Sequence, residues 1–266
     1  MIVKEYGKKE KPRFLFIATA AMEPWNAFEP AILYLAQEYH VYAVAADGHD
    51  RLPGDFESIE KTAMQMEAYF KERNITSFYG SYGLSMGGAI LLRFLTTSGI
   101  RTKKAVLDGA ILPYTYPKWL CRMIWVKDYL TMKAVARNHT LLEWIVPREE
   151  GTPKGMDPDE VYEDLYDYYE NGYSNTSIKN DFWSANNYDL PVPAPQMDTQ
   201  FIYWAGEKEI GARRNDLKFL KQYLPAVQYV KMKGVGHGEL VMFKPERWIV
   251  AAKYFFNGSK NNERFF

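Results

Sequence analysis

The stretch from Ser77 to Gly99, SFYGSYGLSMGGAILLRFLTTSG, constrains this chain more than any other. It opens on a β-prone run, Phe78-Tyr79-Gly80-Ser81-Tyr82. It turns through Gly83-Leu84-Ser85-Met86-Gly87-Gly88 and continues into an apolar helix, Ala89 to Leu95, that Gly99 can cap. Strand, G-x-S-x-G turn and helix in that order set a steric demand. A serine hydroxyl must stand free at the end of a strand, on a backbone bent too sharply for bulky neighbours. Gly83 and Gly87 remove the side chains that would obstruct the bend, and Gly88 lets the new helix approach the sheet. The N–H of Met86, the first peptide after the serine, is then aimed where an oxyanion would form.

The rest of the chain reads as the frame for that turn. Ile2–Tyr6 suits a short edge strand. Phe14–Ala18 and Val41–Ala45 are continuous apolar runs, as buried parallel strands require. Lys104–Asp108, Thr199–Ala205 and Val227–Met232 are further strands. Helices are expected over Phe28–Tyr39, about Ser58–Arg73, about Asn215–Tyr223 and Pro245–Phe256. In the second of these, Ile59, Ala63, Met66 and Phe70 share one face. Alternating strands and helices imply an α/β fold, a mainly parallel sheet covered on both faces. The polar tail from Gly258 onward is expected to fray.

The alternation breaks between about Pro113 and Pro195, where aromatic residues crowd a helical stretch that includes Trp119, Trp125, Trp144, Tyr162, Tyr173 and Trp183. Asp157 as N-cap, Pro158 at the first helical position, Glu160 at the third and Gly172 past the end sign one helix there. We read residues 113–190 as an inserted helical cap on a core made of 1–112 and 191–266. The insertion follows a strand whose carboxyl end lies on the serine's side of the sheet, where open α/β sheets bind ligands. Helices packed elsewhere, with the aromatics serving only as core, are the alternative.

Composition narrows the class. With 266 residues, 47% hydrophobic and 25% charged, the chain suits one large globular domain. Lys and Arg balance Asp and Glu at 33 each, which argues against nucleic acid or an anionic surface as main partner. The lone Cys121 makes neither an internal disulfide nor a metal site by itself. The first residues lack the apolar centre of a signal peptide, and no run approaches ~18 uncharged apolar residues. A cytoplasmic protein without a membrane span is the expectation.

A serine hydroxyl needs a base near neutral pH. Of four histidines, His40 precedes a strand, His49 follows one in a turn near the expected site entrance, and His139 falls in the cap. His237, in Lys233-Gly234-Val235-Gly236-His237-Gly238-Glu239, follows the last strand on a loop flexible enough to reach across the sheet ends, and it is the candidate base. The carboxylate that would orient the imidazole belongs at the end of the strand before. Glu209 is the choice there, with Glu207 a rival suited to a solvated turn. Asp108 is a second rival, which could equally bond the backbone N–H groups of the turn at Gly109.

Ser85, Glu209 and His237 in that order, with GLSMGG as the turn, resemble the α/β-hydrolase fold superfamily over nearly the whole chain, with 113–190 as the variable cap. The resemblance implies a nucleophile (Ser85), an acid (Glu209, glutamate in place of the usual aspartate), a base (His237) and an oxyanion N–H from Met86. The family commonly has His-Gly after the strand where Thr19-Ala20 stands here, which makes Ala21 the expected second N–H donor, with Met22 as the alternative. It further implies a serine esterase acting without metal or cofactor on a small or medium substrate with an apolar or aromatic group. Carbon–carbon bond hydrolysis, thioester or lactone cleavage, and a non-catalytic binding module are the competing readings. The altered Thr19-Ala20-Ala21 loop favours the last of these.

Overall fold

The computed structural model describes residues 1–20, 24–49, 51, 54–145, 148, 152 and 156–258. Seven strands form one sheet: β1 (Ile2–Tyr6), β2 (Arg13–Ile17), β3 (His40–Ala45), β4 (Ser77–Leu84), β5 (Arg101–Asp108), β6 (Gln200–Gly206) and β7 (Gln228–Met232). Their order is β1-β3-β2-β4-β5-β6-β7, with β1 antiparallel to β3 and every other pair parallel. Strand β4, which carries the serine turn, is therefore central.

The strands read as apolar runs because both faces are covered. Leu15 and Ile17 pack with the residues of α2 (Ile59–Glu72) and α3 (Met86–Thr97), while Phe14 and Phe16 pack with α1 (Pro24–Ala36) on the opposite side. The anticipated stripe Ile59, Ala63, Met66, Phe70 is buried, and Ser58 caps α2 by accepting from Lys61 N. Strands β4 and β5 extend further than their apolar runs suggest. Arg101 and Thr102 extend the β5 ladder beyond its apolar run because β4 supplies partners for it at Ser77 and Phe78, whatever the side chains are.

Between β5 and β6 lie α4 (Lys118–Val135), α5 (His139–Ile145), α6 (Pro158–Asp167) and α7 (Asn175–Asn187). Asp157 caps α6 as expected, accepting from Asp159 N at 2.9 Å. Gly172 does not end that helix directly, because a π-helical turn, Tyr168–Gly172, intervenes. These helices have a small core of their own, with Val135, Leu142, Tyr168, Tyr169, Tyr173 and Ile178. They are tied down by polar contacts to the segment before α2. Phe56 N and Ile59 N donate to Ser177 Oγ (3.0 Å) and Ser184 Oγ (2.9 Å), and Arg51 pairs with Asp164 and Asp167. The chain returns through α8 (Arg214–Tyr223), α9 (Glu239–Phe243) and α10 (Pro245–Asn257). Among the described residues, no helix is long and apolar enough to cross a membrane.

Candidate active site

Ser85 sits between the last residue of β4 and the first of α3, with φ 52° and ψ −116°. A serine held there is strained, and such strain persists only when the surroundings enforce it. The enforcement is visible. Ser85 N donates to Asp108 O at 2.8 Å, which fixes the turn against β5. A methyl group on Gly83 would lie 2.5 Å from Gly87 O, and one on Gly87 would lie 2.4 Å from Ala18 O. No side chain fits at either position, which is the demand read from the sequence. Met86 begins α3, so its N–H belongs to the first turn, whose amides have no acceptor within the helix. Ala21 and Met22, the expected sources of the second oxyanion N–H, lie outside the described residues.

His237 stands on the loop after β7, before α9. Its Nδ1 lies 2.7 Å from Glu209 Oε2. Glu209 itself stands in the turn after β6, and the two segments are bound together by Glu207 N to Met232 O and Lys208 N to Val235 O. Three donors converge on the Glu209 carboxylate. Gly206 N reaches Oε1 at 2.9 Å, while Arg213 Nε (3.0 Å) and His237 Nδ1 share Oε2. Burial alone would raise this carboxyl's pKa. The hydrogen bond and charge of His237, then Gly206 N–H and Arg213, outweigh it and bring the pKa down to about 2.

The rival carboxylates are engaged elsewhere. Glu207 is a turn residue paired with Lys231 and Gly234 N. Asp108 is buried directly behind the site, but it does not bond the Gly109 N–H, which goes to Trp204 O instead. It accepts from Tyr82 OH at 2.6 Å, because the fully buried Tyr82 needs an acceptor on that face of β4. Burial raises the Asp108 carboxyl to about 7, against the lowering effect of that hydrogen bond. The other histidines are placed away from Ser85's partners. His40 pairs with Glu5, and His139 stacks on Tyr166 and pairs with Glu170. His49 is not at an entrance but 1% exposed, bonded to Asp181.

Ser85, Met86 and His237 border one cavity of about 630 Å³ at the carboxyl ends of the strands. Thr19 and Ala20, after β2, line it, and so do Met132, Tyr169, Tyr173 and Phe182 from the segment between β5 and β6. Among the described residues the charged lining is lopsided: Asp128, Asp181 and Asp216 against one guanidinium, that of Arg213, which is committed to Glu209 and Asp216. Sequence reading missed both Arg213 and Asp181. Arg213 had a local signal, since it stands four residues after Glu209. Asp181 had none, because its partner His49 is 132 residues away. Among the described residues, no group of three or more His, Cys, Asp or Glu side chains is placed to hold a metal ion.

The sheet order, the turn at Ser85 and the loop positions of Glu209 and His237 define the α/β-hydrolase fold. Solved structures agree. An α/β-hydrolase family protein from Desulfitobacterium hafniense superposes with a TM-score of 0.73 at 18% identity, over 95% of this chain and 98% of that one. The enol-lactonase from Burkholderia xenovorans gives 0.70 at 16% identity over 96% of each chain. A marine microorganism esterase gives 0.67 at 18% identity, over 96% of this chain and 98% of that one. No family model matches the chain, and no curated protein sequence does. Similarity at this level speaks for the fold, and the chemistry must be argued from the site.

Proposed function

We infer that the chain is a serine hydrolase that cleaves a carboxylic ester through an acyl-enzyme. The observation that carries this reading is a strained Ser85 and His237 bordering one cavity, with His237 Nδ1 held 2.7 Å from Glu209. With Nδ1 committed, Nε2 is the nitrogen left for the serine. Ser85 Oγ attacks the ester carbonyl as His237 Nε2 takes its proton. The tetrahedral oxyanion is met by Met86 N–H and, by the alignment of the loop after β2, Ala21 N–H. His237 then gives the proton to the departing alkoxide. Water repeats the sequence on the acyl-enzyme and releases the acid. Glu209 fixes the imidazole tautomer and balances its positive charge. Each oxyanion donor is worth about 3–4 kcal/mol in enzymes of this type.

In this reading residues 113–190 act as the cap that shapes the substrate cavity, and its aromatic lining suits an apolar acyl or alcohol group. Thioester and lactone cleavage would use the same groups in the same order. Carbon–carbon hydrolysis of an acidic diketone is less well served, because the described lining offers no uncommitted cation for a substrate carboxylate. Neighbours in structure include an esterase, an enol-lactonase and an epoxide hydrolase, which is consistent with a hydrolase and leaves the bond to experiment.

A fluorophosphonate probe read by mass spectrometry tests the reading without choosing a substrate. A single adduct on Ser85, lost in His237→Ala, is the expected result. No adduct on a folded protein would refute it and favour a binding module, with the Thr19-Ala20-Ala21 loop as the cause.

A further inference from the structure

Helix α4 (Lys118–Val135) carries apolar side chains on two sides. Inward, Cys121 and Val135 are buried, and Trp125 meets the Trp183 ring of α7 at 5.5 Å while its Nε1 donates to Lys179 O at 3.0 Å. That side holds the helix to its neighbour. Outward, Trp119, Met123, Val126 and Leu130 are 63%, 62%, 43% and 55% exposed. Their spacing confines them to about 60° of the helix circumference, over about 16 Å of its length. Scattered exposed apolar residues need no explanation, but an aligned row does.

The row is bordered by cations. At the same pitch Arg122 and Lys133 fall along one edge and Lys127 along the other, and all three are exposed. Lys127 pairs with Asp128 at 2.9 Å, and the Lys133 ammonium lies over the Tyr129 ring at 5.9 Å. Asp128 is the one acidic residue of the helix and belongs to its opposite face, where it lines the cavity. Lys118, Arg122, Lys127 and Lys133 thus stand against one carboxylate, in a chain whose total formal charge is zero. An apolar row with basic margins and an indole at one end suits a helix lying in the plane of an anionic lipid surface, with its cations at the headgroups. A second copy of the chain is a poorer occupant, because a two-fold contact along this row brings like-charged margins together. An acidic protein would satisfy the charge, but the row offers only the Trp119 indole N–H to fix such a partner's register.

We propose that the outer face of α4 is a docking surface for an anionic lipid bilayer, with Trp119, Met123, Val126 and Leu130 entering the boundary between headgroups and acyl chains. Arg122, Lys127 and Lys133 meet the lipid phosphates and carboxylates. The helix lies on the bilayer and does not cross it. Docking sets against the lipid the same helix that gives Asp128 and Met132 to the cavity wall. None of the docking side chains lines that cavity, so the proposal does not depend on the hydrolase reading.

Co-sedimentation with vesicles tests it. The unaltered chain should bind phosphatidylcholine vesicles holding about 30% phosphatidylserine at least tenfold better than pure phosphatidylcholine, and NaCl at about 0.5 M should remove most of that difference. Trp119→Ser with Leu130→Ser should weaken binding to the anionic vesicles by about tenfold. Arg122→Glu with Lys133→Glu should abolish the preference for the anionic lipid and leave any binding to pure phosphatidylcholine unchanged. The substituted side chains are exposed, so the fold survives, which an unaltered thermal transition checks. Equal binding to the two kinds of vesicle, or anionic binding that either double variant leaves within about threefold, overturns the proposal. So does the absence of binding to both. In that case a concentration-dependent dimer that Trp119→Ser with Leu130→Ser dissociates assigns the row to a second copy, and a monomer assigns it to an acidic protein. The readout is binding, so a failure of the hydrolase reading leaves the result untouched.

Discussion

Glu209→Gln is the perturbation with the most to decide, because the carboxylate is surrounded by donors on all sides. Its pKa lies at about 2 against an ordinary 4.5. That difference corresponds to about 3 kcal/mol of preference for the charged form, a figure discounted little because the side chain is only 7% exposed. Glutamine keeps the shape but brings its own N–H₂ group. Wherever that amide nitrogen points it faces a donor: Gly206 N–H on one side, or His237 and Arg213 together on the other. The amide will turn its nitrogen to Gly206 and leave its oxygen to His237, so the imidazole keeps a neutral hydrogen bond and loses the balancing charge. If most of the 3 kcal/mol is felt by the imidazolium of the transition state, kcat/KM for p-nitrophenyl hexanoate falls by about 10²-fold near neutral pH, with a smaller change in KM. A second readout follows from linkage. A depressed carboxyl pKa contributes stability that is present above about 4.5 and lost as pH falls toward 2. The unaltered chain should therefore lose up to about 3 kcal/mol of stability across that acid window, and the variant should lack that component. A loss of less than threefold in kcat/KM, or an unchanged acid slope of Tm, would refute the assignment of Glu209 as the partner of the base.

Asp108→Asn should behave in the opposite sense. Its carboxyl is raised from 3.8 to about 7 by burial, so the stability it contributes is present below about 4 and lost as pH rises through 7. The variant escapes that loss and should gain roughly 2–3 kcal/mol on the unaltered chain between about pH 5 and about pH 7.5, read by urea unfolding. Its kcat/KM should drop less than tenfold, and a larger drop than in Glu209→Gln would move the acid to β5. Gly109→Ala places a methyl group 2.8 Å from His237 Nδ1 and 3.2 Å from Glu209 Oε1, at φ +52°. It should cost most turnover and fluorophosphonate labelling. Gly99→Ala, at φ +69° with nothing within 4 Å, is the control: about 1 kcal/mol of stability and no loss of kcat/KM.

The parts of this molecule that were legible in the sequence are those in which local pattern and chain order carry the information. The turn at Ser85 was legible because its glycines are needed for contacts within ten residues or with the adjacent strand. The contact between His237 and Glu209 was legible because each follows a strand at an expected place in the order. The strand ends at Arg101–Lys103 were not, since neighbouring strands rather than local hydrophobicity extend β5. The partner of Asp108, left open in the sequence, was hidden for a related reason. The choice between Gly109 N–H and Tyr82 OH depends on which neighbouring strand supplies the nearer group, and Trp204 O on β6 takes the former.

The residues that sequence reading missed share one physical character, and it bears on where specificity resides. Arg213 and Asp181 are both charged, the first half-buried and the second buried, and both are defined by partners that come together only when the chain is folded. Arg213 closes a chain of contacts from Leu112 N through Asp216 to Glu209 and so joins the loop after β5 to the candidate acid. Asp181 joins the inserted helices to the turn after β3 through His49. Buried charges are retained against their desolvation cost when they hold an arrangement that apolar packing would leave loose. Here the two arrangements are the orientation of His237, the candidate base, and the attachment of α7 to the turn after β3. The His49–Asp181–Tyr173 cluster ties α7 to the turn after β3, and Phe182 and Ala185 of the same helix border the cavity.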